Sequence, residues 1–211
     1  MSGGEPVLLL HGLWMGRPAM WALARCLRQA GYAPEPHPYA TILGDLIDER
    51  RRLAQHWASL GPRVHVIGHS LGGHLALATA TAFAAQLPPG RIICLASPLA
   101  GSSVARQLRR HAWGRPLMGR AGPVLTAAVS VPAGREVASI AGQRRFGAGS
   151  WLAQLDSPHD GTVSVAETRI DGLAAHTVIP ASHSGIVFSQ RAQQLCLNFL
   201  REGGLTDSPT A

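Results

Sequence analysis

The chain has 211 residues, of which 46% are apolar and 15% charged, with 24 glycines and 15 prolines. That composition suits one compact, loop-rich domain with a sizeable core and excludes a disordered or fibrous chain. The formal charge of +7 rests on arginine alone, because the sequence contains no lysine; the arginines are scattered without interleaved aromatics, which argues against a nucleic-acid partner.

The opening Met1-Ser2-Gly3-Gly4-Glu5-Pro6 carries no basic stretch followed by a long apolar run, so no secretory leader is expected. Residues 7–10, all Val or Leu, are stopped by His11-Gly12 and read as a buried strand. Met20, Leu23, Ala24 and Leu27 recur at i, i+3, i+4 and i+7, which predicts a helix over 19–30 closed by Gly31. Residues 32–36 have strand character, but Pro34 and Pro36 confine them to a sheet edge. Leu46, Leu53, Trp57 and Leu60 share one face of a long helix ending at Gly61-Pro62. A strand over 64–67 then enters Gly68-His69-Ser70-Leu71-Gly72, and a helical stripe of Leu71, Leu75, Ala78, Ala82 and Phe83 leaves it. Residues 91–95 read as a further strand, ended by Ser97-Pro98.

Residues 102–133 differ from the rest: they are arginine-rich, glycine-punctuated and weakly periodic. So long a stretch without strong structure is uncommon inside a compact domain unless it is functional, and a small cap is expected there. Its arginines, Arg106, Arg109, Arg110, Arg115 and Arg120, are read as favouring an anionic substrate or a weak contact with an anionic membrane surface. Strands over 137–141 and 177–179 follow, then a last helix through Phe188, Ala192, Leu195 and Phe199, and a polar tail over 203–211.

This alternation predicts an α/β domain spanning 1–202, with a mostly parallel sheet covered by helices on both faces. Parallel crossovers place the C-terminal ends of all strands along one edge, where ligands bind. No apolar run approaches the roughly 18 residues that span a bilayer, and a cytoplasmic protein is expected. Cys26, Cys94 and Cys196 are an odd set in apolar surroundings and read as buried free thiols. The spacing of Cys and His offers no metal site, and no cofactor is expected.

Gly-x-Ser-x-Gly alone is weak evidence for a nucleophile, since a serine here also serves as a helix N-cap. Its position between a buried strand and a helix adds more. Small residues at 68 and 72 let the two backbones pass closely, which puts Ser70 on a tight corner above the sheet edge. An alcohol needs a base to attack at neutral pH, and the base needs an orienting acid. Asp160 and His183 follow Ser70 in the order Ser, acid, His, each in a turn-like loop on the same edge. His159 and His176 read as surface or packing histidines; Asp156 and Asp171 read as ordinary loop acids, Asp156 being the nearer substitute for Asp160. Leu71, directly after the serine, and Leu13, in the loop after the first strand, would supply two backbone N–H donors for an oxyanion. His11 is expected to hold that loop, His69 to pack under the corner, and His74 to be a satisfied helix histidine. Trp14 and Met15 are candidate walls of a substrate pocket.

"LLLHGLW", "VIGHSLGGHLAL", "ASPLAGS", "HDGTVSVAET" and "SHSGIV" occur in that order and resemble the successive motifs of the α/β-hydrolase superfamily, most closely its compact bacterial lipases and esterases. The resemblance covers roughly residues 6–200. It implies a minimal α/β-hydrolase fold of about six parallel strands, without the antiparallel strands that open larger members, because the first strand begins at Val7. It also implies triad roles for Ser70, Asp160 and His183 and oxyanion roles for Leu13 and Leu71. The expected activity is hydrolysis of a small-molecule or lipid carboxylic ester through an acyl-enzyme, without metal or cofactor. Thioester or amide cleavage and acyl transfer would use the same site, and a catalytically silent binding protein on this fold is the reading from outside the enzymes.

Overall fold

In the computed structural model of the protein, which describes residues 4–146 and 155–205, six parallel strands form one sheet in the order β2-β1-β3-β4-β5-β6. They are β1 (Pro6–Leu10), β2 (Ala33–Pro36), β3 (His65–His69), β4 (Ile92–Leu95), β5 (Val137–Gly142) and β6 (Ala175–Ile179). The helices are α1 (Trp21–Gln29), α2 (Leu46–Ser59), α3 (Leu71–Ala82), α4 (Ser103–Arg110), α5 (Gly114–Met118), α6 (Ala121–Thr126) and α7 (Gln190–Glu202). The expected 203–211 tail lies outside the described residues from 206 onward; Gly203 is left-handed, φ 77°, and ends α7.

The inner strands β1, β3, β4 and β5 are buried almost throughout because both faces of the sheet are covered there. Val7, Leu9, Ile67, Ile93 and Ile140 point to the layer formed by α1 and α7, where Leu23, Leu27, Leu195 and Phe199 meet them. Leu8, Leu10, Val66, Ile92 and Cys94 point the other way, against Leu53 and Trp57 of α2 and Leu75 and Ala80 of α3. Burying each large side chain of this set stabilises the fold by about 1.5–3 kcal/mol. Most of α3 is buried around its whole circumference, since a second layer, α4 to α6, covers Leu71 through Leu108, Met118 and Leu125.

β2 shows why its prolines are tolerated. Ala33 and His37 donate their N–H groups to Glu5 and Leu9 of the β1 segment; Pro34 and Pro36 fall on the alternate positions, which face the open edge where no ladder donor is needed. The expected helix over 19–30 begins instead as a single 3₁₀ turn, Arg17–Met20, before α1. Cys94 and Cys196 are buried free thiols as expected, whereas Cys26, also free, is only partly covered.

The strand order places the site. From β1 the chain steps outward to β2 and then returns past β1 to β3, so the connections after β1 and β3 diverge to opposite sides. The crevice opened at such a switch lies at the C-terminal ends of the strands, and here it lies between the loop after Leu10 and the corner after His69.

Candidate active site

The corner at Ser70 is built by close backbone approach. A Cβ on Gly68 would lie 2.4 Å from the Gly72 carbonyl carbon, and one on Gly72 would lie 2.4 Å from the Leu10 carbonyl oxygen. Glycine at both positions lets α3 start directly above the ends of β1 and β3. Ser70 adopts φ 53° and ψ −117°, a conformation that costs a non-glycine residue on the order of 1–3 kcal/mol. Its N–H donates to Leu95 O at 2.8 Å, which ties the corner to β4. Ser70 occupies the N-cap position of α3, yet its hydroxyl makes no capping bond. It lies 3.1 Å from His183 Nε2 instead.

Asp160 and His183 reach Ser70 from the loops after β5 and β6. Gly142, the last residue of β5, lets those loops cross, since a Cβ there would meet Ala181 O at 2.5 Å and Asp160 Cβ at 2.8 Å. The Asp160 side chain is 1% exposed, and both its oxygens are used. Oδ1 accepts the N–H groups of Thr162 at 2.9 Å and Val163 at 2.7 Å, and Oδ2 pairs with His183 Nδ1 at 2.9 Å. The His183 N–H also donates to Asp160 O at 3.1 Å. A proton held on Nδ1 by Asp160 leaves Nε2 as the acceptor facing the serine hydroxyl, the arrangement a general base requires.

The loop after β1 is braced on both sides. His11 Nδ1 bonds Gly12 O at 3.0 Å, its ring stacks on Tyr39 at 4.4 Å, and the Tyr39 hydroxyl donates to His11 O. Trp14 adopts φ 62°, and the Met15 N–H closes the turn on Gly12 O at 3.2 Å. The amides of Leu13 and Leu71 have no acceptor among the described residues; for Leu71 this follows from its place at the first turn of a helix.

His69 lies beneath this constellation and does not border the cavity above it. Its Nε2 donates to His183 O at 2.9 Å, and its Nδ1 is close enough to Gly12 that a Cβ there would come within 2.7 Å. Burial, helped by the neighbouring His183, pushes the His69 imidazole down to about 3, so it is neutral and acts as a spacer between the two loops. His74 donates to Ala127 O and His159 Nδ1 accepts the Gly161 N–H, both structural roles. His176 pairs with Thr168 Oγ1, away from the cavity, and Asp156 and Asp171 are exposed.

A cavity of about 230 Å³ opens onto Ser70 and His183. Leu13, Trp14, Val104, Leu108, Met118 and Leu125 give it apolar walls, with Thr162 and Val163 beside the acid. Met15, expected as a second wall, is not among the lining residues, because the turn it closes carries the chain away at Trp14. Sequence reasoning missed Glu167. This buried carboxylate accepts the Ser103 N–H through one oxygen and the Ser164 N–H through the other at 2.9 Å, joining the start of α4 to the loop that follows Asp160. A lone Glu after a run of small and apolar residues offered no signal for that role. Among the described residues no group of three His, Cys, Asp or Glu side chains could hold a metal, and no helix is long and apolar enough to cross a membrane.

The sequence model of the Alpha/beta hydrolase family matches residues 7–197. Among solved structures, the chain is similar to the mature lipase BlEst2 of Bacillus licheniformis, with 18% identity, 95% of this chain and 92% of that one covered, and a TM-score of 0.76. It is also similar to the type II thioesterase BorB of the borrelidin biosynthetic cluster, at 17% identity, 95% and 93% coverage and TM-score 0.65. A pyrethroid hydrolase from Sphingobium faniae JZ-2 follows at 16% identity, 94% and 98% coverage and TM-score 0.61. These likenesses are to the fold. No curated protein matches the sequence significantly. The chain belongs to the Alpha/beta hydrolase family.

Proposed function

We propose that this α/β hydrolase cleaves carboxylic esters through an acyl-enzyme formed on Ser70. The observation that carries the reading is the single imidazole of His183, which bonds Ser70 Oγ at 3.1 Å on one side and Asp160 at 2.9 Å on the other, at the floor of an apolar cavity. Ser70 Oγ attacks the ester carbonyl while its proton passes to His183 Nε2. Asp160 stabilises the resulting imidazolium and holds its orientation. The tetrahedral oxyanion takes the amides of Leu13 and Leu71, each such donor contributing about 10²–10³ in rate. Collapse breaks the C–O bond, and the alkoxide leaves with the proton from His183. Water repeats the sequence on the acyl-enzyme and returns the acid and the free serine.

The cavity volume bears on substrate size. At about 230 Å³ it falls below the roughly 300–1,000 Å³ of usual small-molecule pockets, so a short acyl chain fills it. Turnover of p-nitrophenyl esters, measured from acetate to palmitate, should peak among the short chains and fall towards palmitate. In Ser70→Ala it should drop by about 10⁴-fold or more with the fold intact. Near-normal rates in Ser70→Ala would refute the reading. A thioester substrate preferred over the matched oxygen ester would keep the mechanism and change the substrate class.

A further inference from the structure

The helices over the Ser70 cavity have a second side. Val104, Leu108, Met118 and Leu125 face inward, whereas the outer side of the same segment forms a cleft of about 670 Å³. Arg106, Arg109, Arg110 and Arg115 line it, together with Gly119, Pro123 and Thr126.

Three of these arginines each make a hydrogen bond, exposed to solvent, to a neutral partner. Arg109 donates to Thr126 Oγ1 at 3.3 Å, Arg110 to Gln107 Oε1 at 3.3 Å, and Arg115 Nε to Arg109 O at 3.2 Å. The aliphatic stem of Arg109 lies along Gly122, where a Cβ would come within 3.2 Å of its Cδ. The one carboxylate at hand, Glu167, is 3.9 Å from Arg106 and already accepts two backbone N–H groups. Among the described residues Arg109, Arg110 and Arg115 form no ion pair. Elsewhere Arg91 meets Glu136 at 2.7 Å, Arg51 meets Asp48 at 3.3 Å and Arg120 meets Asp45 at 3.4 Å. Four like charges facing one concave surface repel each other. A multivalent oxyanion relieves that repulsion and matches the planar donor fork of arginine.

We propose that this cleft is a binding site for a phosphate-class oxyanion, a phosphomonoester or diphosphate group, distinct from the Ser70 cavity and separated from it by the helices α4 to α6. The neutral partners engage the guanidinium groups without discharging them, so the cleft keeps unpaired positive charge for an incoming anion. The same chemistry is carried by a lipid headgroup and by a soluble phosphate-bearing molecule.

Calorimetric titration with inorganic pyrophosphate tests the site. The wild type should bind saturably, and Arg109→Gln/Arg110→Gln should bind at least about tenfold more weakly, given the usual contribution of charge-assisted hydrogen bonds. Arg51→Gln/Arg52→Gln on α2 removes the same charge elsewhere and should bind as the wild type does. If the cleft double variant fails to fold, exposed Arg110→Gln alone, whose one bond is to half-buried Gln107, should show a several-fold loss. No saturable binding by the wild type, or equal loss in the cleft and α2 variants, would overturn the proposal. Co-sedimentation with phosphatidylcholine vesicles, with and without phosphatidic acid, then separates the sources. Retention on phosphatidic acid that pyrophosphate reverses supports the site with a lipid headgroup as occupant; saturable pyrophosphate binding without retention supports it with a soluble one.

Discussion

Ser70 occupies the N-cap of α3 without capping it, and it holds a backbone conformation that favours glycine. Both features work against stability: a capping side chain contributes about 1 kcal/mol and the φ strain costs about as much or more. They also free the hydroxyl to meet His183 at the floor of the cavity. A consequence follows for variants that lack the hydroxyl. Ser70→Gly should be more stable than Ser70→Ala by about 1 kcal/mol in chemical denaturation, because the strain persists with alanine and vanishes with glycine. Away from such a corner alanine is the more stabilising of the two, so equal or reversed stabilities would mean that the corner is not strained. Ser70 was legible in the sequence because glycine spacing and a buried strand are local signals. The pairing of His183 with Asp160 was legible only through chain order, since nothing local marks a loop histidine as a partner for a loop acid. Met15 was misread as a cavity wall because apolarity alone does not report the turn at Trp14.

At the scale of elements, the segment from α4 to α6 bears on the site through Glu167. Its two oxygens hold the first N–H of α4 and the Ser164 N–H in the loop after Asp160, so the helical layer and the acid loop share one anchor. Glu167→Gln keeps the shape but turns one acceptor into a donor that faces another donor. Stability should fall by about 1–3 kcal/mol, and exchange of the α4 amides, Ala105 among them, should accelerate more than exchange in β3. Uniform acceleration across the molecule would contradict a local anchor. The strands were readable as apolar runs and α1, α2 and α7 by their periodicity. The helices α4 to α6 were not, because they are only five to eight residues long. Together they bury Val104, Leu108, Met118 and Leu125 in one cluster with Leu71, and tertiary packing rather than local propensity fixes them.

Across the whole molecule, histidines recur in the interior: His11, His37, His65, His69, His74 and His159 are buried, and His176 is half-buried. Burial is the leading cause that lowers His11, His37, His65, His69, His74 and His176, with His69 near 3 and His176 near 4. An unfolded chain takes up these protons below the ordinary imidazole value of about 6.5, whereas in the folded chain uptake is shifted to lower pH, to about 4 for His176 and about 3 for His69. The unfolded state therefore binds more protons in that window, so stability is fully present above pH 6.5 and declines as pH falls towards 4. Denaturant midpoints at pH 7.5, 5.5 and 4.5 should decrease in that order, and a flat series would contradict the neutral burial of these rings. The parallel sheet and its two covered faces were expected from the alternation of elements, whereas the order of the strands was not. The concentration of buried histidines was not, because a histidine in sequence shows nothing of its cover.

The central claim is that His183 activates Ser70 as a nucleophile, and covalent labelling tests it most directly. The folded protein would be treated with a fluorophosphonate and the modified peptide located by mass spectrometry. A single adduct on Ser70 is predicted, absent from Ser70→Ala and formed at least about 10²-fold more slowly in His183→Ala, in line with the usual contribution of a general base. A folded protein that remains unlabelled, or that is labelled at another serine, would contradict the account.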